Sequence, residues 1–139
     1  MPRREWAFVA LGSNIGDRAR HLTVARAALA ELPNTELVAA SSIDETAPIG
    51  PPGQKPYLNQ MVLLRTALPP RTLLTRCQAI ERAAGRVRDQ RWGPRTLDLD
   101  IVRFGEHRVT EPELSIPHPE LPHRAFWQRE LAELQPHVR

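Results

Sequence analysis

With 139 residues, 41% of them apolar, the chain has the length for one domain with its own core, and its single cysteine excludes an internal disulfide. No apolar run is long enough to span a bilayer, and residues 1–6 lead directly into a strand pattern rather than a signal peptide, which predicts a cytoplasmic protein with no membrane segment. Net charge is +3 and Lys55 is the only lysine, so the positive charge is nearly all guanidinium, suited to bidentate phosphate contacts but equally consistent with compositional bias.

Taken in order, residues 6–11 form a continuous apolar run that predicts a buried central strand. Residues 12–17 make a tight turn that fits neither a Walker loop, since no Gly-Lys-Ser/Thr follows, nor a GxGxxG phosphate turn, and it reads as structural. Asp17 is placed to cap a helix in which Leu22, Ala25, Leu29 and Leu32 recur at helical spacing as far as Pro33. Residues 37–46 predict a second strand. Residues 47–56, with four prolines and two glycines, predict a surface loop long enough to act as a lid. A third strand, 57–66, alternates between Tyr57, Asn59, Met61 and Leu63 on one face and Leu58, Gln60, Val62 and Leu64 on the other. Pro69-Pro70 opens a second helix whose Leu73, Cys77, Ile80 and Ala84 share a stripe and which Gly85 closes; Cys77 reads as core filler.

Residues 86–94 form a strongly basic loop leading into the most informative stretch, Arg91-Trp92-Gly93-Pro94-Arg95-Thr96-Leu97-Asp98-Leu99-Asp100-Ile101. Leu97, Leu99 and Ile101 alternate with Asp98 and Asp100, which predicts a strand with one apolar and one acidic face, running on to Phe104. Two residues of strand rise set the aspartates roughly 6.6 Å apart at Cα. Carboxylates so placed can hold one or two hard cations such as Mg²⁺, beside arginines suited to phosphate, although alternation alone fits a solvated strand face equally well. Residues 105–116 suggest a loose hairpin, Pro117-His118-Pro119 breaks the chain, and 124–134 predicts a closing helix. The order strand, helix, strand, strand, helix, strand predicts a single α+β domain over 1–139 of ferredoxin-like βαββαβ form. That fold has a four-stranded antiparallel sheet with both helices on one face, the other face free for ligand, and a short C-terminal hairpin and helix extension.

The motifs LGSNIGD at 11–17, Tyr57-Leu58-Asn59, Gln78 with Glu81, Gly85-Arg86-Val87-Arg88, RWGPRTLDLDI at 91–101 and Ile116-Pro117-His118-Pro119 are spread over nearly the whole chain. Together they make it resemble the 6-hydroxymethyl-7,8-dihydropterin pyrophosphokinases of folate biosynthesis. The resemblance implies an ATP-dependent diphosphotransferase that moves the β,γ-pyrophosphate of ATP to the pterin hydroxymethyl group and releases AMP, and it is expected to act as a monomer with no nucleic-acid or membrane partner. It implies that Asp98 and Asp100 hold two Mg²⁺ ions and that Arg86 and Arg95 act as catalytic arginines. Gln78, Glu81, Arg88, Arg91, Trp92, Ser115, His118 and Arg124 would line the ATP site. Tyr57 and Phe126 would sandwich the pterin, with Asn59 and the backbone near Thr46 and Ile49 on its polar edge. Read from pattern alone, Glu81 also fits a solvated helix residue, His118 a turn residue and Phe126 a core anchor. Ala47 and Pro119 depart from residues common in the family. An RNA-binding module of the same fold is disfavoured, because an acidic strand face repels a phosphate backbone. A regulatory ligand-binding domain of that fold would leave the arginine loop without a purpose.

Overall fold

The computed structural model describes residues 3–48, 52–85 and 96–139. Strand β1 (Glu5–Ser13) is the apolar run expected, and it is buried on both faces: Ala7, Val9 and Leu11 enter one core, Phe8 and Ala10 the other. It is followed by helix α1 (Arg18–Ala30), β2 (Thr35–Ala40), β3 (Asp44–Thr46), β4 (Tyr57–Thr66), α2 (Pro70–Ala83), β5 (Asp98–Phe104), β6 (Val109–Glu111), β7 (Leu114–Ile116) and α3 (Ala125–Leu134). Strands β4 and β5 flank β1, both antiparallel, and β2 lies outside β4 to give the path β2-β4-β1-β5. The expected N-cap is present, with the Asp17 carboxylate accepting from the Arg20 amide at 3.1 Å. Gly85 ends α2 at φ +84°, a left-handed turn that glycine adopts without steric cost.

Two expectations are corrected. The sheet has five strands rather than four, because the segment predicted as one strand over 37–46 is interrupted and β3 pairs separately with β4. The interruption is bridged by Ser41. Its amide donates to the Met61 carbonyl at 2.8 Å, and its buried hydroxyl accepts from the Met61 amide at 2.9 Å, so a side chain replaces one rung of backbone ladder. Nor is the face opposite α1 and α2 entirely free. Trp127, Leu131 and Leu134 of α3 pack on Phe8, Ala10, Met61, Leu63 and Val102 and close a second core there. The physical reason is the alternation itself: both faces of β1 and β4 are apolar, and burying each such side chain contributes about 1.5–3 kcal/mol. The region open to ligand is the rest of that face, toward Gly12, Asn59 and Asp98.

The hairpin expected over 105–116 is the two-stranded sheet of β6 and β7. No helix among the described residues is long and apolar enough to cross a membrane.

Candidate active site

Leu97, Leu99 and Ile101 are buried under the helices, so Asp98 and Asp100 emerge on the opposite, partly exposed face of β5. The alternation stops one residue later. Val102 has no Cα partner on β1, since Val9 pairs with Ile101 and Phe8 with Arg103. This bulge returns Phe104 to the core of Leu99 and Ile101 while Val102 joins the core under α3. The Val102 carbonyl accepts from the His118 amide at 2.9 Å, which pins the Pro-His-Pro segment beside Asp100. The His118 Nδ1 accepts from the Glu120 amide at 3.0 Å, so the neutral ring carries its proton on Nε2, and Nε2 faces Asp100 Oδ1 at 3.6 Å. Trp127 meets the same ring edge-on, with centroids 4.9 Å apart. His118 is therefore fixed on three sides and turned toward the acidic face.

Behind the strand, Glu81 is buried and its carboxylate accepts from the Leu99 amide at 2.8 Å. Leu99 lies between the two aspartates, so this bond holds the backbone that presents them. Cys77, one helical turn before Glu81, has its thiol pushed up to about 12 by burial, with the negative charges of Glu81 and Asp100 adding to the effect. It is inert filler, as its stripe position implied.

Beside the outer edge of β5 opens a cleft of about 250 Å³, lined by Leu74, Leu99, Asp100, Ile101, Ser115 and His118 among others. Ser115 and His118 thus share one cleft with Asp100, whereas Gln78, partly buried on α2, and Arg124 stand outside its lining. The Arg124 guanidinium stacks on Trp127 at 4.4 Å.

At the other end of the open face, Thr46 of β3 pairs with Tyr57, and the Asn59 amide donates to the Thr46 hydroxyl at 2.7 Å. Register then runs straight across the sheet: Asn59 opposite Gly12, and Gly12 opposite Asp98. A Cβ on Gly12 would lie 3.3 Å from Asn59 Oδ1 and 3.5 Å from the Tyr57 ring. Glycine therefore lets the Asn59 amide and the Tyr57 ring approach the sheet closely, and Asn59 and Asp98 are separated by two strand spacings, about 9.6 Å. Phe126, partly buried, packs against the second core from α3. Sequence reading took Gly12 and Asn14 only as parts of a turn. Asn14 is in fact buried, and its amide donates to Gln54 Oε1 at 3.1 Å and to the Lys55 carbonyl at 3.2 Å, tying that turn to the proline-rich loop. Arg18 adds a bond to the Pro56 carbonyl at 2.7 Å. Of the residues singled out by sequence, Ile49, Arg86, Arg88, Arg91, Trp92 and Arg95 lie outside the described residues.

The donor set of Asp98 and Asp100 fits a hard divalent cation such as Mg²⁺. No group of three or more His, Cys, Asp and Glu side chains among the described residues could enclose a metal. Two carboxylates on an open face leave the remaining positions to water and substrate oxygens, which is how Mg²⁺ is ordinarily held with phosphates.

Known proteins place the chain in a family. The chain is 46% identical over 132 residues to the 2-amino-4-hydroxy-6-hydroxymethyldihydropteridine pyrophosphokinase of Pseudomonas aeruginosa, covering 95% of this chain and 82% of that one. It is 44% identical to the Bacillus subtilis protein of the same name, covering 92% and 77%. A solved structure described as HPPK-DHPS in complex with substrates superposes with a TM-score of 0.71 at 15% identity, and so speaks for the fold alone; it covers 98% of this chain, which spans 41% of that one. The family model for 7,8-dihydro-6-hydroxymethylpterin-pyrophosphokinase matches residues 8–136, nearly the whole chain. The chain belongs to the 7,8-dihydro-6-hydroxymethylpterin-pyrophosphokinase family.

Proposed function

We propose that this chain transfers the β,γ-pyrophosphate of ATP to the hydroxymethyl oxygen of 6-hydroxymethyl-7,8-dihydropterin, as a monomeric, single-domain, cytoplasmic enzyme of folate biosynthesis. We read its strand path as ferredoxin-like, with β2 and β3 as one interrupted edge strand. The observation that carries the functional reading is the register row Asn59–Gly12–Asp98. It offers an amide for a heterocycle's polar edge, a floor without a side chain of its own beside the Tyr57 ring, and a carboxylate where its side arm would end.

In this reading Tyr57 and Phe126 flank the pterin rings, and Asn59 and Thr46 satisfy its donors and acceptors. The nucleotide occupies the cleft along β5, with its triphosphate directed over Asp100 and Asp98 and its flank touched by Ser115 and His118. Two Mg²⁺ ions held by Asp98 and Asp100 would neutralise triphosphate charge. The pterin hydroxyl oxygen forms a bond to the β-phosphorus, the bond from that phosphorus to the α,β-bridging oxygen breaks, AMP leaves with the electron pair, and the hydroxyl proton passes to water. Such a transfer needs alignment and charge neutralisation more than covalent help. Arg86, Arg88, Arg91, Trp92 and Arg95 complete the nucleotide side, with Arg86 and Arg95 meeting the transferred group, while Gln78 and Arg124 support the nucleotide from α2 and the residue before α3, Glu81 serves the ATP site indirectly through the Leu99 amide it holds, and the Ile49 backbone adds to the pterin edge.

Protein mixed with Mg-ATP and hydroxymethyldihydropterin should yield AMP and the pterin diphosphate in equal amounts. Formation of ADP, or AMP release that does not depend on the pterin, would overturn the assignment.

A further inference from the structure

Glu130 is the one buried side chain among the described residues whose oxygens lack any hydrogen-bond donor, although it is only 2% exposed. The group it faces is the carboxyl of Asp44 on β3. Two acceptor-only groups in contact are missing one thing, a proton: if one carboxyl keeps it, the O–H donates to the other. The charged neighbours do not remove the need. Arg129 is already bonded to Asp44 Oδ1 at 3.2 Å, Glu133 is a further negative charge, and the sheet residues beneath α3 (Phe8, Ala10, Met61, Leu63 and Val102) are apolar. Burial first, and Asp44 second, push the Glu130 carboxyl up to about 9.

The position of this pair gives it a task. Glu133 accepts from the Ser42 amide at 2.6 Å and the Ser42 hydroxyl at 2.8 Å, while Arg129 and Glu130 meet Asp44. Helix α3 therefore runs antiparallel to residues 42–46. Stepping back seven residues from Glu133 to Phe126 covers about 10.5 Å of helix. About three residues of strand cover the same distance from Ser42, which brings Phe126 alongside residues 45–46. Phe126 and Glu130, four apart, share one helix face.

We propose that Glu130 and Asp44 share one proton, and that this carboxyl pair is the positioning element that seats Phe126 against Thr46 and Asn59. The inference rests on reading that corner as the pterin slot. With the proton present, α3 is clamped and the slot has its second wall. With it lost, two carboxylates repel inside an apolar joint and α3 lifts, carrying Phe126 away.

The test is calorimetric titration of the intact chain with 6-hydroxymethylpterin, in the presence of a non-hydrolysable ATP analogue, at pH 7 and pH 9.5. Half a unit above the Glu130 midpoint about one quarter of the molecules remain clamped, so apparent pterin affinity should fall roughly fourfold. In Glu130→Gln the amide keeps a donor toward Asp44 and cannot ionise, so affinity at pH 7 should match the parent and show none of that extra loss. Affinity for the ATP analogue alone should be the same in both proteins at each pH. Parent and Glu130→Gln falling in parallel would overturn the proposal. Asp44→Asn gives an independent arm, because its amide donates to an ionised Glu130 and should also abolish the step; a parent-like step in that variant is equally fatal. Absence of pterin binding at either pH in every protein would instead remove the slot reading, and the positioning role with it.

Discussion

Replacing Glu81 tests whether the aspartate pair is held in place from behind. The carboxylate is 5% exposed and bonded at 2.8 Å to the amide of Leu99, a residue of β5, which is an edge strand of the sheet among the described residues. Glu81→Ala leaves that buried N–H without this acceptor, at about 1–3 kcal/mol, and a void in place of the side chain raises the total to roughly 2–4 kcal/mol. Glu81→Gln keeps an oxygen for the amide and loses the charge-assisted part, about 1 kcal/mol. Urea unfolding followed by circular dichroism gives the stability, and an unchanged slope would show that the folded state is still compact. If the bond positions Asp98 and Asp100, the alanine variant should also need more Mg²⁺ for half-maximal activity, and the glutamine variant should restore most of that loss. A variant with parent-like stability and Mg²⁺ dependence but weakened ATP binding would refute this, and would mean that Glu81 acts on the nucleotide directly.

Asp98→Ala and Asp100→Ala should each remove most turnover, a transition-state loss of several kcal/mol, with the circular dichroism spectrum unchanged; near-normal rates with Mg²⁺ would exclude a metal role. Asn59→Ala should weaken pterin binding by roughly 1–3 kcal/mol and leave binding of an ATP analogue alone untouched, read by calorimetry. Gly12→Ala should weaken pterin binding likewise while changing unfolding free energy little, because the new methyl meets only the Asn59 oxygen and the Tyr57 ring at ordinary to slightly tight distances. Glu130 holds in the folded chain a proton that the unfolded chain releases near pH 4.5, so its contribution is complete below that pH and is lost as pH rises toward about 9. Unfolding free energy should fall by about 1.4 kcal/mol per pH unit in that window, and Glu130→Gln should remove the slope.

Much of this was legible because period-two alternation ties chemistry to a face. Asp98 and Asp100 were placed on one side of a strand, and Tyr57 with Asn59 on one side of another, from sequence alone, and the register confirms both pairings of side and strand. Alternation fails where the backbone adds a residue. Nothing in Ile101-Val102-Arg103 announces the bulge, and the partner of the bulged Val102 carbonyl, the His118 amide, lies in a distant segment. The break between β2 and β3 was hidden for a similar reason, since Ser41 completes the ladder with a hydroxyl and leaves the sequence looking continuous. The apolar stripe of α3 was readable, but the face it covers is set by tertiary packing. Glu130 gave no signal at all: a charged residue on a helix is expected in water, and only its opposite number on β3 shows otherwise. Glycine at position 12 was visible as a residue and invisible as a floor, because the need for it lies in two side chains on a neighbouring strand.

The burial of Cys77 has a practical consequence. Cys77 is 1% exposed and burial pushes its thiol well above the usual range, so it offers little thiolate to alkylating reagents or mild oxidants in the native protein. The chain contains no second cysteine. A cysteine introduced at an exposed position with ordinary backbone, such as Lys55 in the proline-rich loop, would therefore be the single reactive thiol on the molecule. Its labelling needs no prior removal of the native residue, and a spin label or fluorophore there would report loop position against α3 on an otherwise unlabelled background.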